Sequence, residues 1–130
     1  MNAASMANAY KTQQIMTASP EELTLMLYNG ALRFVSESVR AIDNNDLEQA
    51  NKTNLRAQAI IREFMSTLDT QYEIAHSLMP LYEYMENQLI QGNVKKDTTL
   101  LLEVKDLLSE LRDGWAEAMK SVRVSRAVAR

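Results

Sequence analysis

Residues 45–68 read NDLEQANKTNLRAQAIIREFMSTL, and this stretch decides the fold. Leu47, Ala50, Asn54, Ala57, Ile61, Phe64 and Leu68 recur at alternating intervals of three and four residues. That spacing places them along one seam of a helix packed against other helices. Asn45 precedes the seam as a helix cap, with Glu48 at the third helical position, where it can reach back to the cap. Asn54 is the polar interruption: it either fixes the register of the seam or faces water.

The pattern continues on both sides. Upstream, Ser19-Pro20-Glu21-Glu22 opens a helix: Ser19 can accept from a free backbone N–H, and Pro20 sits where its missing N–H does no harm. Leu23, Leu27, Ala31, Phe34, Ser38 and Ile42 follow on one stripe, flanked by Leu25, Tyr28, Leu32, Val35 and Val39, so a wide face is buried. Asp43-Asn44-Asn45 reads as a tight turn. Downstream, a looser stretch from Asp69 to Ser77 leads to a helix with Pro80 expected in its first turn, because a mid-helix proline costs about 3 kcal/mol. Leu81, Met85 and Leu89 line one face there, and Gly92 is the expected stop. Asp97 caps the last helix, whose seam Leu101, Val104, Leu108, Leu111, Trp115, Ala118, Val122 again alternates three and four. Four helices joined by short links predict an all-α, antiparallel up-down four-helix bundle over residues 19–126. Residues 1–18, in which Lys11 is the only charged side chain, form an N-terminal arm without a helical stripe, expected to be mobile or loosely docked. Residues 127–130 form a short tail.

Composition agrees. A chain of 130 residues fits one domain with one core, and three glycines and two prolines leave long helices uninterrupted. Without cysteine there is no disulfide framework and no thiolate chemistry. No basic segment precedes an apolar one at the N-terminus, and no apolar run approaches the roughly 20 residues of a membrane span, so neither a signal peptide nor membrane insertion is expected. The net charge of −3 argues against a nucleic-acid partner. Lys120, Arg123, Arg126 and Arg130 complement the carbonyl end of a helix better than they make a phosphate-binding patch.

The residues offer no reaction. Glu73-x-x-His76 resembles half of a di-iron carboxylate site, but His76 is the only histidine, so the second half cannot exist. A phosphotransfer histidine needs a nearby cation and a small residue, and Ser77-Leu78-Met79-Pro80 supplies neither. There is no nucleophile elbow and no glycine-rich phosphate loop. Glu21, Glu22, Glu37, Glu48 and Glu63 fall at caps and solvated faces. No catalytic residue, metal or cofactor is expected, and the protein reads as a binding protein, not an enzyme. Its eight methionines are either core filler or an adaptable binding surface. Gly30 costs about 1 kcal/mol relative to alanine in mid-helix, a cost offset by close approach of a neighbouring helix or of a ligand chain. Leu25 to Tyr28 and Leu100 to Leu102 point in several directions, so one core does not hide them all, and surplus apolar surface needs a partner or a lid. The arm, with Tyr10 and Ile15, is the candidate lid.

The segment from Tyr10 to Pro20 (YKTQQIMTASP) resembles the opening of the flagellin export chaperones, the FliS family. Leu23 to Gly30 (LTLMLYNG), Arg56-Ala57-Gln58 with Ile60-Ile61, and Leu81-Tyr82-Glu83-Tyr84-Met85 resemble it too, as do Asn93, Lys96-Asp97, Leu111-Arg112-Asp113 and Trp115. The likeness covers nearly the whole chain in order. It departs at Asn87 and Gln88, where members of the family often carry a basic pair. The resemblance implies a cytoplasmic chaperone that binds the disordered C-terminal segment of flagellin, prevents premature polymerisation and aids delivery to the flagellar type III export apparatus. It implies a 1:1 client complex, a free form that is monomer or dimer, and contacts with flagellar export-gate components or flagellar regulators. It also implies that the arm occupies part of the client site when that site is empty. The expected client contacts are Tyr10, Ile15, Tyr28, Leu32, Tyr82, Met85, Leu89 and Trp115. The competing readings are a phosphotransfer bundle centred on His76 and a self-associating structural bundle.

Overall fold

The computed structural model describes the backbone of residues 3–129 and the side chains of residues 5–9, 11–13 and 15–122. Its elements are α1 (Ala3–Thr17), α2 (Pro20–Asp43), α3 (Leu47–Thr67), α4 (Glu73–Lys95) and α5 (Thr98–Ala129). Helices α2 and α4 each pack against both α3 and α5, so the four stand at the corners of a square. The links between them are too short for anything but antiparallel neighbours. The arm is helical, as α1, and its described side chains from Ser5 to Thr17 are all exposed. Residues 127–129 continue α5, so the expected tail does not break from the helix.

The caps explain most boundaries. Ser19 Oγ accepts from the Glu22 N–H at 3.2 Å with Pro20 in the first turn. The α3 cap is Asp46, not the expected Asn45: Asp46 Oδ1 accepts from the Gln49 N–H at 3.2 Å. Asn45 is occupied by the turn itself, with φ at 58°, a left-handed conformation that asparagine tolerates better than most residues. Asp97 Oδ1 accepts from the Thr99 N–H at 2.9 Å and starts α5 as expected.

Two expectations about α4 are corrected. The helix begins at Glu73, so Pro80 lies inside it and not in its first turn. The lost N–H leaves the His76 carbonyl without its helical donor, but Pro80, His76 and Ser77 are exposed, and water can serve that carbonyl. Gly92 does not stop the helix. It is buried where α4 meets α5, and a Cβ there would lie 2.7 Å from Leu101 Cδ2. The stop comes at Lys96, with φ at 53°, after which the Asp97 N–H returns to the Gly92 carbonyl at 2.9 Å.

The middle of each predicted α3 and α5 seam forms the core, while Leu47, Ala118 and Val122 at the seam ends are exposed. Ala50, Ala57, Ile61 and Phe64 of α3 and Leu101, Val104 and Leu108 of α5 are buried, together with Val35, Ala31, Met85 and Leu89 from the other two helices. Asn54 is also fully buried and sets register: its Nδ2 donates to the Leu89 carbonyl of α4 at 3.0 Å, and its Oδ1 accepts from Gln58 Nε2 at 2.7 Å. Of the described methionines only Met85 is core; Met26, Met65, Met79 and Met119 are half-buried, and Met6 and Met16 are exposed.

Candidate functional site

The site follows from a mismatch of lengths. Helix α2 has 24 residues and α5 has 32, about 36 and 48 Å at 1.5 Å per residue. Ser19 and Pro20 fix the start of α2, whereas no glycine or proline follows Gly114 to stop α5. The two helices run antiparallel, and the Trp115 indole N–H donates to the Glu21 carbonyl in the first turn of α2 at 3.0 Å. Beyond that point α5 has outrun α2. Its next apolar positions, Ala118, Met119 and Val122, lose their partner helix and become the wall of an open cleft of about 460 Å³. Ser19, Glu21 and Glu22 form the opposite, polar wall, and Trp115 lines the cleft as well.

This cleft can bind but offers little for chemistry. Val122 is 47 % exposed, Met119 and Trp115 are half-buried, and the acidic side chains lie at the rim. Helix α1 leads into it through Ala18 and Ser19, with Ile15 50 % and Met16 80 % exposed.

Among the candidate contacts, Trp115 lines the cleft and Ile15 stands on the adjoining helix, while the Tyr10 side chain lies outside the described residues. The other five are core residues. Tyr28, Leu32, Tyr82, Met85 and Leu89 are buried in the core, none more than 8 % exposed. Phe64 stacks between the two tyrosines, at 4.5 Å from the Tyr28 ring and 5.4 Å from the Tyr82 ring. The tyrosine hydroxyls meet at 2.7 Å, so each buried O–H has its partner. Burial pushes both phenols above their ordinary range; the hydrogen bond between them raises Tyr28 further and offsets part of the rise for Tyr82.

The cleft residues Ser19, Ala118, Met119 and Val122 are not among the expected client contacts. Spacing alone puts Ala118 and Val122 in the seam, and only the offset of α5 against α2 exposes them. On the far side, Asn87 is exposed and Gln88 Nε2 donates to Glu103 Oε1 at 3.3 Å, while the Tyr84 hydroxyl donates to the same oxygen. The Glu103 carboxylate thereby raises the Tyr84 phenol. His76 is exposed on α4. No helix among the described residues is long and apolar enough to cross a membrane.

The family model described as flagellar protein FliS matches residues 2–122. The chain is 42% identical over 118 residues to the flagellar secretion chaperone FliS of Bacillus subtilis, covering 91% of this chain and 89% of that one. It is 34% identical over 121 residues to the flagellar secretion chaperone FliS of Campylobacter jejuni, covering 92% and 94%. A crystal structure of a bacterial flagellar chaperone shares the fold, with a TM-score of 0.74 at 18% identity over 88% of this chain and 98% of that one.

Proposed function

The chain belongs to the FliS family of flagellar proteins, and from that premise we propose that it is a cytoplasmic export chaperone for flagellin. In this reading it binds the disordered C-terminal segment of flagellin, prevents premature polymerisation and hands the subunit to the flagellar type III export apparatus, where export-gate components or flagellar regulators are further partners. It works by binding, without catalysis or cofactor.

The observation that carries this reading is the open apolar cleft left where α5 outruns α2. A disordered segment loses conformational entropy when it orders on a surface. It recovers that loss by burying apolar anchors, each worth roughly 1.5–3 kcal/mol. Met119, Val122 and Trp115 supply preformed apolar area for such anchors. Ile15 and Met16, exposed within a turn of Ser19, stand ready to fold down over the bound segment.

Calorimetry and circular dichroism with a synthetic flagellin C-terminal peptide test the proposal. Expected are a 1:1 complex, a gain of helicity and a negative heat-capacity change. Absence of binding at tens of micromolar peptide refutes it. Removing residues 1–17 leaves the melting temperature of the bundle unchanged, because the described α1 side chains are exposed, and weakens peptide binding. A lower melting temperature instead means that the arm is part of the core.

A further inference from the structure

Charge is divided along α5. From Ala118 onward the sequence holds Lys120, Arg123, Arg126 and Arg130 and no carboxylate, whereas the 117 residues before it hold the other 10 cations and all 17 carboxylates. A region of +4 thus stands on a body of −7. The carbonyl end of the helix accounts for only part of this. A helix dipole acts on charges within the last turn, and α5 runs to Ala129. Arg126 falls in that turn, but Arg123 lies six residues and Lys120 nine residues before Ala129. Lys120 is exposed and has no ion pair among the described residues.

The basic region also projects from the bundle. Trp115 is bonded to the first turn of α2, and the 14 residues from Ala116 to Ala129 carry α5 about 21 Å further. At physiological ionic strength charges are screened over about 8 Å. An anionic surface that meets the end of α5 therefore feels its cations and little of the acidic body. Steps of three and four residues keep positions 120, 123, 126 and 130 within about a third of the helix circumference, and the register puts position 122 on one side of that arc and position 124 on the other. Both are valine, and Val122 is 47 % exposed. Cations flanked by aliphatic residues fit the boundary of a lipid bilayer, where the cations meet headgroup phosphates and the valines meet acyl chains. Nucleic acid offers aliphatic side chains no such partner, and no aromatic residue follows Trp115 to stack on a base.

We propose that the projecting end of α5 binds the surface of a membrane rich in anionic phospholipid, end-first and without crossing it. No helix among the described residues is long and apolar enough to cross. The inference does not depend on the flagellin reading, because Lys120 is not part of the cleft lining.

The test is co-sedimentation of the full chain with vesicles of phosphatidylcholine alone or with about 30 % phosphatidylglycerol added, at about 50 and about 300 mM salt. The wild-type protein is expected to bind only the anionic vesicles, and about tenfold more weakly at the higher salt. Each cation at such a surface is worth about fivefold in binding. The triple variant Lys120→Gln, Arg123→Gln, Arg126→Gln is therefore expected to bind about 100-fold more weakly, while circular dichroism shows the helicity of the wild type. No binding of the wild type to either vesicle, equal binding to both, or a folded triple variant that binds as the wild type does overturns the proposal. Retention on poly-glutamate or polyuridylate without vesicle binding overturns it too, and assigns the cations to an acidic protein or a nucleic acid.

Discussion

Gly92→Ala tests the packing of α4 on α5, and its cost can be worked from the structure. The new methyl carbon would stand 2.7 Å from Leu101 Cδ2, 3.2 Å from Leu101 Cγ and 3.3 Å from the Asp97 carbonyl oxygen. Carbon atoms are comfortable at about 3.5–4.0 Å, so something must move by roughly an ångström. Leu101 is fully buried and cannot swing into solvent, and the Asp97 carbonyl belongs to the link that joins the two helices. Inserting a methyl into so tight a site costs about 1–3 kcal/mol. Alanine returns up to about 1 kcal/mol of helix propensity, less so near a helix end. The net expectation is a destabilisation of about 1–2 kcal/mol, or a fall in melting temperature of about 4–8 °C for a chain of 130 residues. Gly114→Ala is the internal control: nothing lies within 4 Å of a Cβ there, so only the propensity gain remains and the protein melts higher. Urea titration followed by circular dichroism measures both variants, with an unchanged m-value showing that the unfolded state is not what moved. If Gly92→Ala melts at or above wild type, the close α4–α5 approach and the argument from it are wrong.

The Tyr28–Tyr82 hydroxyl pair makes a second prediction. Either tyrosine changed alone to phenylalanine strands a buried hydroxyl and costs about 1–3 kcal/mol, whereas the double change is close to neutral, and a double-mutant cycle in urea reads the coupling. Because burial raises both phenols in the folded state above the value of 10.0 for a free tyrosine, folding holds these protons more tightly than unfolding. Their contribution to stability is therefore constant up to about pH 10 and is lost as the pH rises further; the double phenylalanine variant shifts alkaline unfolding upward. Asn54→Leu leaves the buried Gln58 amide without its acceptor and costs about 1–3 kcal/mol, while adding Gln58→Leu recovers most of that loss in the same assay. A second change with no recovery shows that the amides are not coupled.

Much of the bundle was legible along the chain. Ser19, Pro20 and Asp97 are local signals, and the seams around Ile61 in α3 and around Leu101, Val104 and Leu108 in α5 are periodic ones. Helix geometry converts both kinds directly into caps and buried stripes. The family motifs from Tyr10 to Trp115 also run in order along the sequence and need no fold to be seen. Asn45 and Pro80 misled for different reasons. Two neighbouring residues could each cap α3, and the turn took the first of them. A proline on a solvated face costs a helix less than one whose freed carbonyl is buried.

By itself, then, the sequence determined four amphipathic helices, their antiparallel order and the family to which they belong. Tertiary structure decided which apolar residues are spent on the core and which stay exposed. Periodicity says that a residue lies on an apolar face, but not whether another helix stands opposite. Tyr28, Tyr82 and Met85 meet such a helix and are buried, whereas Met119 and Val122 continue along α5 past the end of α2 and are not. That difference depends on the lengths and offset of helices far apart in the chain, which no local pattern encodes.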